Sequence, residues 1–296
     1  SPLLSRATAG LYQPGGAFQT VVLAALLGAQ TDLSDGGESV LSRAVEDGLA
    51  PVTVGDLMLG CVGNPPGEVL TLGNAYAYGC PAPFAVAFDA GLTADFLWER
   101  LRVLGLLEAP ALAGFETAAA RVAQPDSGAS EAWRALLVGQ GALTVTPLQM
   151  AQMTAAIANG GSAVPLRLVD AMRKPGVSDW QPVAPAGHPV AMLRAEVVRA
   201  LERAMGYAAE TNAATREAQG DGYMLYGHSA LAYAGPDETP YAWFVGFARS
   251  EGSSARTTVA VVIVEGERDP AVAARAAGTA VHHPHAKFVH VDLGAR

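Results

Sequence analysis

The sequence predicts an α+β protein in which helices pack on a mainly antiparallel sheet. Two observations support this prediction. From about residue 14 to residue 160 the apolar residues mostly follow helical spacing. After about residue 220 the pattern changes to runs rich in β-branched and aromatic residues, which are typical of strands. Helices followed by a cluster of strands indicate a sheet with helices packed on it, within one domain.

The predicted helices have recognisable ends. Thr146 is a candidate N-cap, Pro147 occupies the first turn, and Asn159-Gly160 ends the segment. The segment from Ala17 to Ala29 is apolar almost all round, so it should be a core helix. Further helices are predicted over 93–104, with Thr93 as N-cap, and over 130–137, 195–208 and 270–281.

The strands are predicted in the last third of the chain. Tyr241–Ala248 and Thr257–Val264 are the best candidates, and Tyr223–Ala234 alternates moderately. Phe288–Leu293 has the pattern of a last strand. Because an open sheet edge is prone to unwanted pairing, we expect this strand to lie beside Thr257–Val264.

Three histidines near the C-terminus invite a metal-site interpretation. His282, His283 and His285 are close in sequence, but Pro284 breaks any regular helical spacing between them. No carboxylate or cysteine lies alongside until Asp292. We therefore expect an exposed turn, with no metal and no cofactor.

Composition excludes several functions. The chain has 296 residues, half of them apolar, and a formal net charge of −9. This charge argues against a nucleic-acid surface and against an anionic-membrane patch, because both need clustered Lys and Arg. No apolar run reaches the length of about 18 to 20 residues that a membrane span needs. The chain opens without a signal peptide, so we expect any membrane anchor to lie in a segment outside this sequence.

The cysteines, Cys61 and Cys80, form no recognisable framework. We expect two small buried thiols, since free cysteine behaves as a small apolar residue. A disulfide is the alternative if the protein is exported.

Several stretches resemble the transpeptidase domain of penicillin-binding proteins. The most specific is Val138–Gly161, whose Gly-Gln-Gly, Thr-Pro-Leu-Gln and Ala-Asn-Gly-Gly runs are similar to the family segment that shapes the active-site cleft wall. Leu11–Gly15 resembles the turn that opens the family's nucleophile helix. Tyr241–Ala248 resembles the strand after its Lys-Thr-Gly strand, and Thr257–Gly266 resembles its closing strand.

The resemblance implies a fold and a domain organisation. The matches follow the family's order and cover most of residues 7–281. They imply an α/β/α sandwich of the β-lactamase-like superfamily. Residues 1–296 would then form a single transpeptidase-like domain, with 282–296 as a C-terminal extension.

In that family, catalysis uses Ser-x-x-Lys, Ser-x-Asn and Lys-Thr-Gly. The first serine forms an acyl-enzyme and the first lysine takes its proton, while Ser-x-Asn relays protons. The Lys-Thr-Gly strand supplies positive charge, a hydroxyl for the substrate carboxylate and a β-edge for the substrate backbone.

The first two motifs are degenerate here. The first falls on Gly16 to Gln19, where Gly16 has no nucleophile and the amide of Gln19 cannot act as a base. The second falls on Gly79-Cys80-Pro81, so the hydroxyl and the amide are both missing. In subtilisin, loss of the nucleophile alone lowers kcat roughly a million-fold.

The third motif falls on His228-Ser229-Ala230 and keeps only a hydroxyl and an ionisable ring. With only Lys174 and Lys287 in the chain, neither lysine motif exists at any position. His228 and Ser229 are adjacent on a strand and should point to opposite faces, so they cannot form a nucleophile–base pair. We expect His228, Ser229 and Gln140 to be the candidate ligand contacts.

The sequence therefore predicts a catalytically inactive transpeptidase-like domain. By resemblance, it would lie outside the cytoplasm, in the cell envelope, and bind a peptidoglycan-type peptide or an envelope protein. One alternative is an active acyl-transfer enzyme with a relocated nucleophile, Ser229 or Cys80. The other is a purely structural domain, which predicts no cleft near Gly16 and Ser229.

Overall fold

The computed structural model of the chain describes residues 5–282 and 291–293, apart from 68, 113–114, 127, 170, 174–175, 177, 184–187 and 252–255. The helices are α1 (Arg6–Ala9), α2 (Gln19–Gly28), α3 (Glu38–Leu41), α4 (Leu72–Ala77), α5 (Ala82–Ala85), α6 (Ala94–Val103), α7 (Ser130–Leu137), α8 (Pro147–Ala158), α9 (Ala195–Thr211), α10 (Ala213–Arg216) and α11 (Pro270–His282). A 3-10 helix over Gly15–Phe18 precedes α2. No helix within the described ranges is long and apolar enough to cross a bilayer.

The strands are β1 (Ala44–Val45), β2 (Val52–Val54), β3 (Leu57–Leu59), β4 (Leu70–Thr71), β5 (Ser162–Ala163), β6 (Ala171–Met172), β7 (Gln181–Pro182), β8 (Val190–Ala191), β9 (Tyr223–Ala234), β10 (Thr239–Ser250), β11 (Thr257–Glu265) and β12 (Val291–Leu293). The main sheet has the order β12-β11-β10-β9, and every neighbouring pair is antiparallel. The other strands form two-stranded ribbons.

Helices cover both faces of this sheet. Alternate side chains of β10 point to opposite faces. Ala242 and Phe244 share a buried cluster with alanines of α11 on one face. Trp243 and Val245 join the main core on the other face, which α8 and α9 cover. The predicted α+β class and the α/β/α sandwich are therefore confirmed.

The helix boundaries follow the sequence signals closely. Thr146 Oγ1 accepts from Gln149 N at 3.1 Å, and Gln149 Oε1 accepts from Thr146 N at 3.1 Å, which completes a capping box. Thr93 Oγ1 accepts from Phe96 N at 3.2 Å, as its N-cap role predicts. The predicted helix 17–29 differs at its start. Gly15–Phe18 forms a 3-10 turn, and the α-helix begins at Gln19.

The C-terminal strand lies on the predicted edge. Leu293 pairs with Thr257, Asp292 with Thr258 and Val291 with Val259. Residues 288–290 of the predicted strand lie outside the described residues, as do His283 and His285. His282 ends α11 instead of belonging to a turn, because the helix continues one residue past Val281. In the described part of the chain no three His, Cys, Asp or Glu residues form a group suited to a metal ion.

Candidate functional site: the pocket at the degenerate motifs

The first two motif positions meet at one small cavity, which we call the motif pocket. Its volume is about 100 Å³. It lies between the 3-10 helix, the end of the β2–β3 ribbon, the turn after α4, the loop after α7 and the end of β9. It is lined by Gly16, Gln19, Leu59, Gly60, Cys61, Val62, Gly79, Pro81, Val138, Gln140, Leu231 and Tyr233.

The 3-10 helix is pressed against β9. Gly15 N donates to Gly139 O at 2.8 Å, and Trp243 Nε1 donates to Gln13 O at 3.1 Å, so the start of this turn is held at two points. Gly15 has a φ of 50°, and a Cβ there would overlap Leu231 O and come within 2.5 Å of Ala232 Cα. Only glycine allows this approach.

A side chain at Gly16, the predicted nucleophile position, would pack closely against β9. A Cβ there would meet the Ala230 Cβ at 3.2 Å, so the strand would have to shift by a few tenths of an ångström. Ala230 is fully buried. A residue larger than glycine at position 16 would therefore need a small adjustment of the strand.

Gln19 lies one turn further along and faces the pocket. It is only 1% exposed, and its Nε2 donates to Cys80 O at 3.4 Å. Its Oε1 has no hydrogen-bond partner in the described part of the chain. A buried acceptor without a partner loses its hydration and gains nothing in return, so it favours a donor in the pocket.

The second motif forms the opposite wall. Gly79 has a φ of 63°, and a Cβ there would meet the Val62 Cβ at 3.0 Å. Tyr78 O accepts from Val62 N and Gly63 N, both at 3.0 Å, so the backbone fixes this turn against the segment after β3. Pro81 also lines the pocket. No hydroxyl or amide side chain is present at these motif positions.

Cys61 and Cys80 form a disulfide, which corrects the expectation of two free thiols. The prediction failed because sequence could not show that Cys61, after β3, lies directly against Cys80. Cys80 is fully buried, and a disulfide sulfur has no thiolate to attack with. The bond joins the segment after β3 to the turn after α4.

His228 does not reach the pocket. It is fully buried, and its ring stacks on Tyr76 with centroids 4.4 Å apart. Its Nε2 lies 3.2 Å from Gly16 O, and this geometry requires a proton on Nε2. Burial lowers the pKa of His228 to about 4, although the contact with Gly16 opposes the shift. The ring is therefore neutral at neutral pH and supplies no positive charge.

Ser229 faces away from His228, as strand alternation predicts. Its backbone N donates to Thr215 Oγ1 at 3.2 Å, on the side covered by α10. The Oγ of Ser229 is buried and has no partner in the described residues. The structure therefore brings neither His228 nor Ser229 to the pocket. His228 and Ser229 do not form a nucleophile–base hydrogen bond, since His228 Nε2 contacts Gly16 O instead.

Gln140 does line the pocket, and its side chain sits on the outer edge of β9. It is 2% exposed. With the amide oriented to satisfy both groups, Gln140 donates to Tyr233 O at 2.9 Å and accepts from Tyr233 N at 3.2 Å. The amide of Gln140 thus makes the two backbone hydrogen bonds that a neighbouring strand would make. Sequence reasoning missed Leu231 and Tyr233 as lining residues, and no motif marked them.

Comparison with known proteins agrees with this geometry. Residues 116–287 match the family model described as the penicillin binding protein transpeptidase domain. The matched span is more than half of the chain, and it includes Gln140, the α8 capping box and β9 to β11. The chain belongs to this family, and the resemblance predicted from its motifs is confirmed.

Individual relatives are distant. The chain is 27% identical over 275 residues to the peptidoglycan D,D-transpeptidase PbpA of Mycolicibacterium smegmatis, covering 90% of this chain and 52% of that protein. It is 26% identical over 273 residues to PbpA of Mycobacterium tuberculosis, with the same coverage. The chain thus spans about half the length of these relatives.

Solved structures share the fold. A crystal structure of PBPA from Mycobacterium tuberculosis superposes with a TM-score of 0.77 at 23% identity, covering 95% of this chain and 63% of that chain. A penicillin G acyl-enzyme complex of the same protein gives a TM-score of 0.75 at 24% identity, covering 96% and 63% of the two chains. That relative therefore forms a covalent adduct with penicillin G.

Proposed function

We propose that this domain is a catalytically inactive member of its family that binds rather than transfers acyl groups. The observation that carries the proposal is the absence of a side chain at Gly16, the predicted nucleophile position, which lines the motif pocket. Gln19 cannot serve as a base, and His228 is buried and neutral beside Gly16 O. Nucleophile, base and positive charge are thus missing together.

A relocated nucleophile is the first competing function. Cys80 is held in a disulfide, and Ser229 is fully buried with its backbone toward Thr215. An attacking group must reach the substrate carbonyl and contact a base within about 3 Å. Neither side chain meets these requirements, which favours the inactive domain.

A purely structural role is the second competitor. It predicts no fillable cleft near Gly16 and Ser229. The motif pocket lies beside Gly16, without Ser229, and reaches the surface at the exposed Gly60. This observation favours a binding role. The pocket is small, so a ligand would insert one peptide group or a short side chain.

The biological setting follows from the relatives by analogy. The PbpA proteins are described as peptidoglycan D,D-transpeptidases. We infer that this domain lies outside the cytoplasm, in the cell envelope, and takes part in peptidoglycan synthesis or cell division. Its partner would be a peptidoglycan-type peptide or an envelope protein. Residues 1–296 would act as one domain, and any membrane attachment would come from another segment.

The intact mass of the protein after incubation with labelled penicillin tests the proposal. The control is PbpA of Mycobacterium tuberculosis, incubated separately under the same conditions. We expect the control to gain the mass of one penicillin and this chain to remain unmodified. A stoichiometric adduct would refute the proposal, and peptide mapping would identify the nucleophile.

A further inference from the structure

The motif pocket contains features that indicate which ligand chemistry it accepts. We propose, on the basis of the proposed binding function, that the pocket binds an uncharged peptide amide and discriminates against a terminal carboxylate. This would reverse the preference that the resemblance implies, since the family's Lys-Thr-Gly strand supplies a positive charge and a hydroxyl for a carboxylate.

The motif pocket offers no cation to a ligand carboxylate. All residues lining the pocket are uncharged. His228, which replaces the lysine of the third motif, is fully buried and its Nε2 is engaged by Gly16 O. The hydroxyl of Ser229 lies on the other face of β9. A carboxylate in this pocket would lose hydration without gaining a cation, whereas a neutral amide would not carry that penalty.

The amide of Gln19 favours a hydrogen-bond donor in the pocket. Its Oε1 is an acceptor without a partner in the described residues, on a side chain that is 1% exposed and lines the pocket. Its Nε2 is directed to Cys80 O, which fixes the amide orientation. An amide N–H would satisfy Oε1. A carboxylate oxygen in the same place would face another lone pair and be repelled.

The protein already places one amide on this edge of β9. The Gln140 amide both donates to and accepts from the backbone of Tyr233. Along an antiparallel edge strand, every second residue directs its backbone N–H and C=O to the open edge. The backbone N–H of Ser229 and both backbone groups of Tyr233 point there, so those of Leu231 do as well. The C=O of Leu231 is packed against Gly15, which leaves its N–H, beside the pocket, for the carbonyl oxygen of a ligand amide.

Matched ligands test the inference on the unmodified protein. The probes are N-acetyl-D-Ala-D-Ala as the free acid and as the C-terminal amide, which differ only in the terminal charge. Ligand-observed NMR titration at neutral pH measures both dissociation constants. We expect the amide to bind at least about tenfold more tightly than the acid.

The outcomes separate the two proposals. Equal or tighter binding of the acid would overturn the preference for a neutral ligand while leaving a binding role intact. Binding of neither probe at millimolar concentration would contradict the binding role as well as this inference.

A pair of variants tests the residue assignment. Gln19→Leu removes the unpartnered acceptor and should weaken amide binding about tenfold. Gln30→Leu, just beyond the end of the same helix and outside the pocket, should leave it unchanged. Circular dichroism and the thermal midpoint show whether each variant folds. A folded Gln19→Leu protein that binds the amide normally would overturn the role of Oε1.

Discussion

At the scale of single residues, the site is defined by how closely two backbones approach. Gly15 and Gly16 lie against Leu231 and Ala230 of β9, with no side chain between them. Gly139 completes this contact, since its carbonyl accepts from Gly15 N and its φ is 71°. The absence of side chains at 15 and 16 removes the nucleophile and at the same time allows tight packing.

Gly15→Ala should destabilise the protein strongly. The matched control is Gly55→Ala, because Gly55 also has a positive φ of 59° but has no atoms within 4 Å of an added Cβ. Both variants bear the strain of a left-handed alanine, and only Gly15→Ala adds overlap with β9. We expect its free energy of unfolding to fall by about 1 to 3 kcal/mol more than that of Gly55→Ala, measured by urea titration. Equal losses would show that β9 moves aside freely.

The buried His228 should make the folded state sensitive to acid. Its pKa is lowered to about 4 in the folded protein, from an ordinary value of 6.5. The unfolded chain therefore binds more protons between these values, and stability falls as pH decreases from about 6.5 toward 4. Between pH 7 and pH 5 we expect wild type to lose about 1 to 2 kcal/mol more than His228→Gln.

The exposed His188 provides the control for this measurement. His188→Gln should follow the wild-type dependence of unfolding free energy on pH. If His228→Gln also follows it, then His228 is not the buried neutral group described above.

At the scale of elements, two segments beside the pocket are joined by one disulfide and by backbone hydrogen bonds. The segment after β3 joins the turn after α4 through the Cys61–Cys80 disulfide and two hydrogen bonds to Tyr78 O. The same turn is capped from the other side by Asn212, whose Nδ2 donates to Ala77 O at 2.8 Å. The disulfide joins residues 19 positions apart, and the loop between them includes β4 and α4.

Loss of the disulfide should lower stability by an amount set by this loop. Closing a loop of this length restricts the unfolded chain by about 3 kcal/mol. Cys61→Ser should therefore reduce the free energy of unfolding by about that amount under non-reducing conditions. With a dithiol reductant present, wild type and variant should become nearly equal. A difference that persists after reduction would mean that Cys61 contributes through packing instead.

At the scale of the whole molecule, sequence predicted the parts that local chemistry determines. The capping box at Thr146, the cap at Thr93 and the long strands β9 to β11 follow from short-range patterns. The sequence left the disulfide as an alternative, because it does not show that the turn after α4 folds back onto the segment after β3. The pairing of Gln140 with Tyr233 could not be predicted, because it joins segments far apart in the chain. Burial of His228 likewise depends on Tyr76 and Gly16, which lie more than 100 residues away in sequence.

We propose that this chain performs no acyl transfer, and hydrolysis of an activated acyl ester tests that proposal most directly. The released alcohol is followed over hours with this protein, with buffer alone and with PbpA of Mycobacterium tuberculosis. We expect this chain to match buffer while PbpA exceeds it. A reproducible rate above buffer would contradict the proposal, and its loss in Ser229→Ala would identify the nucleophile.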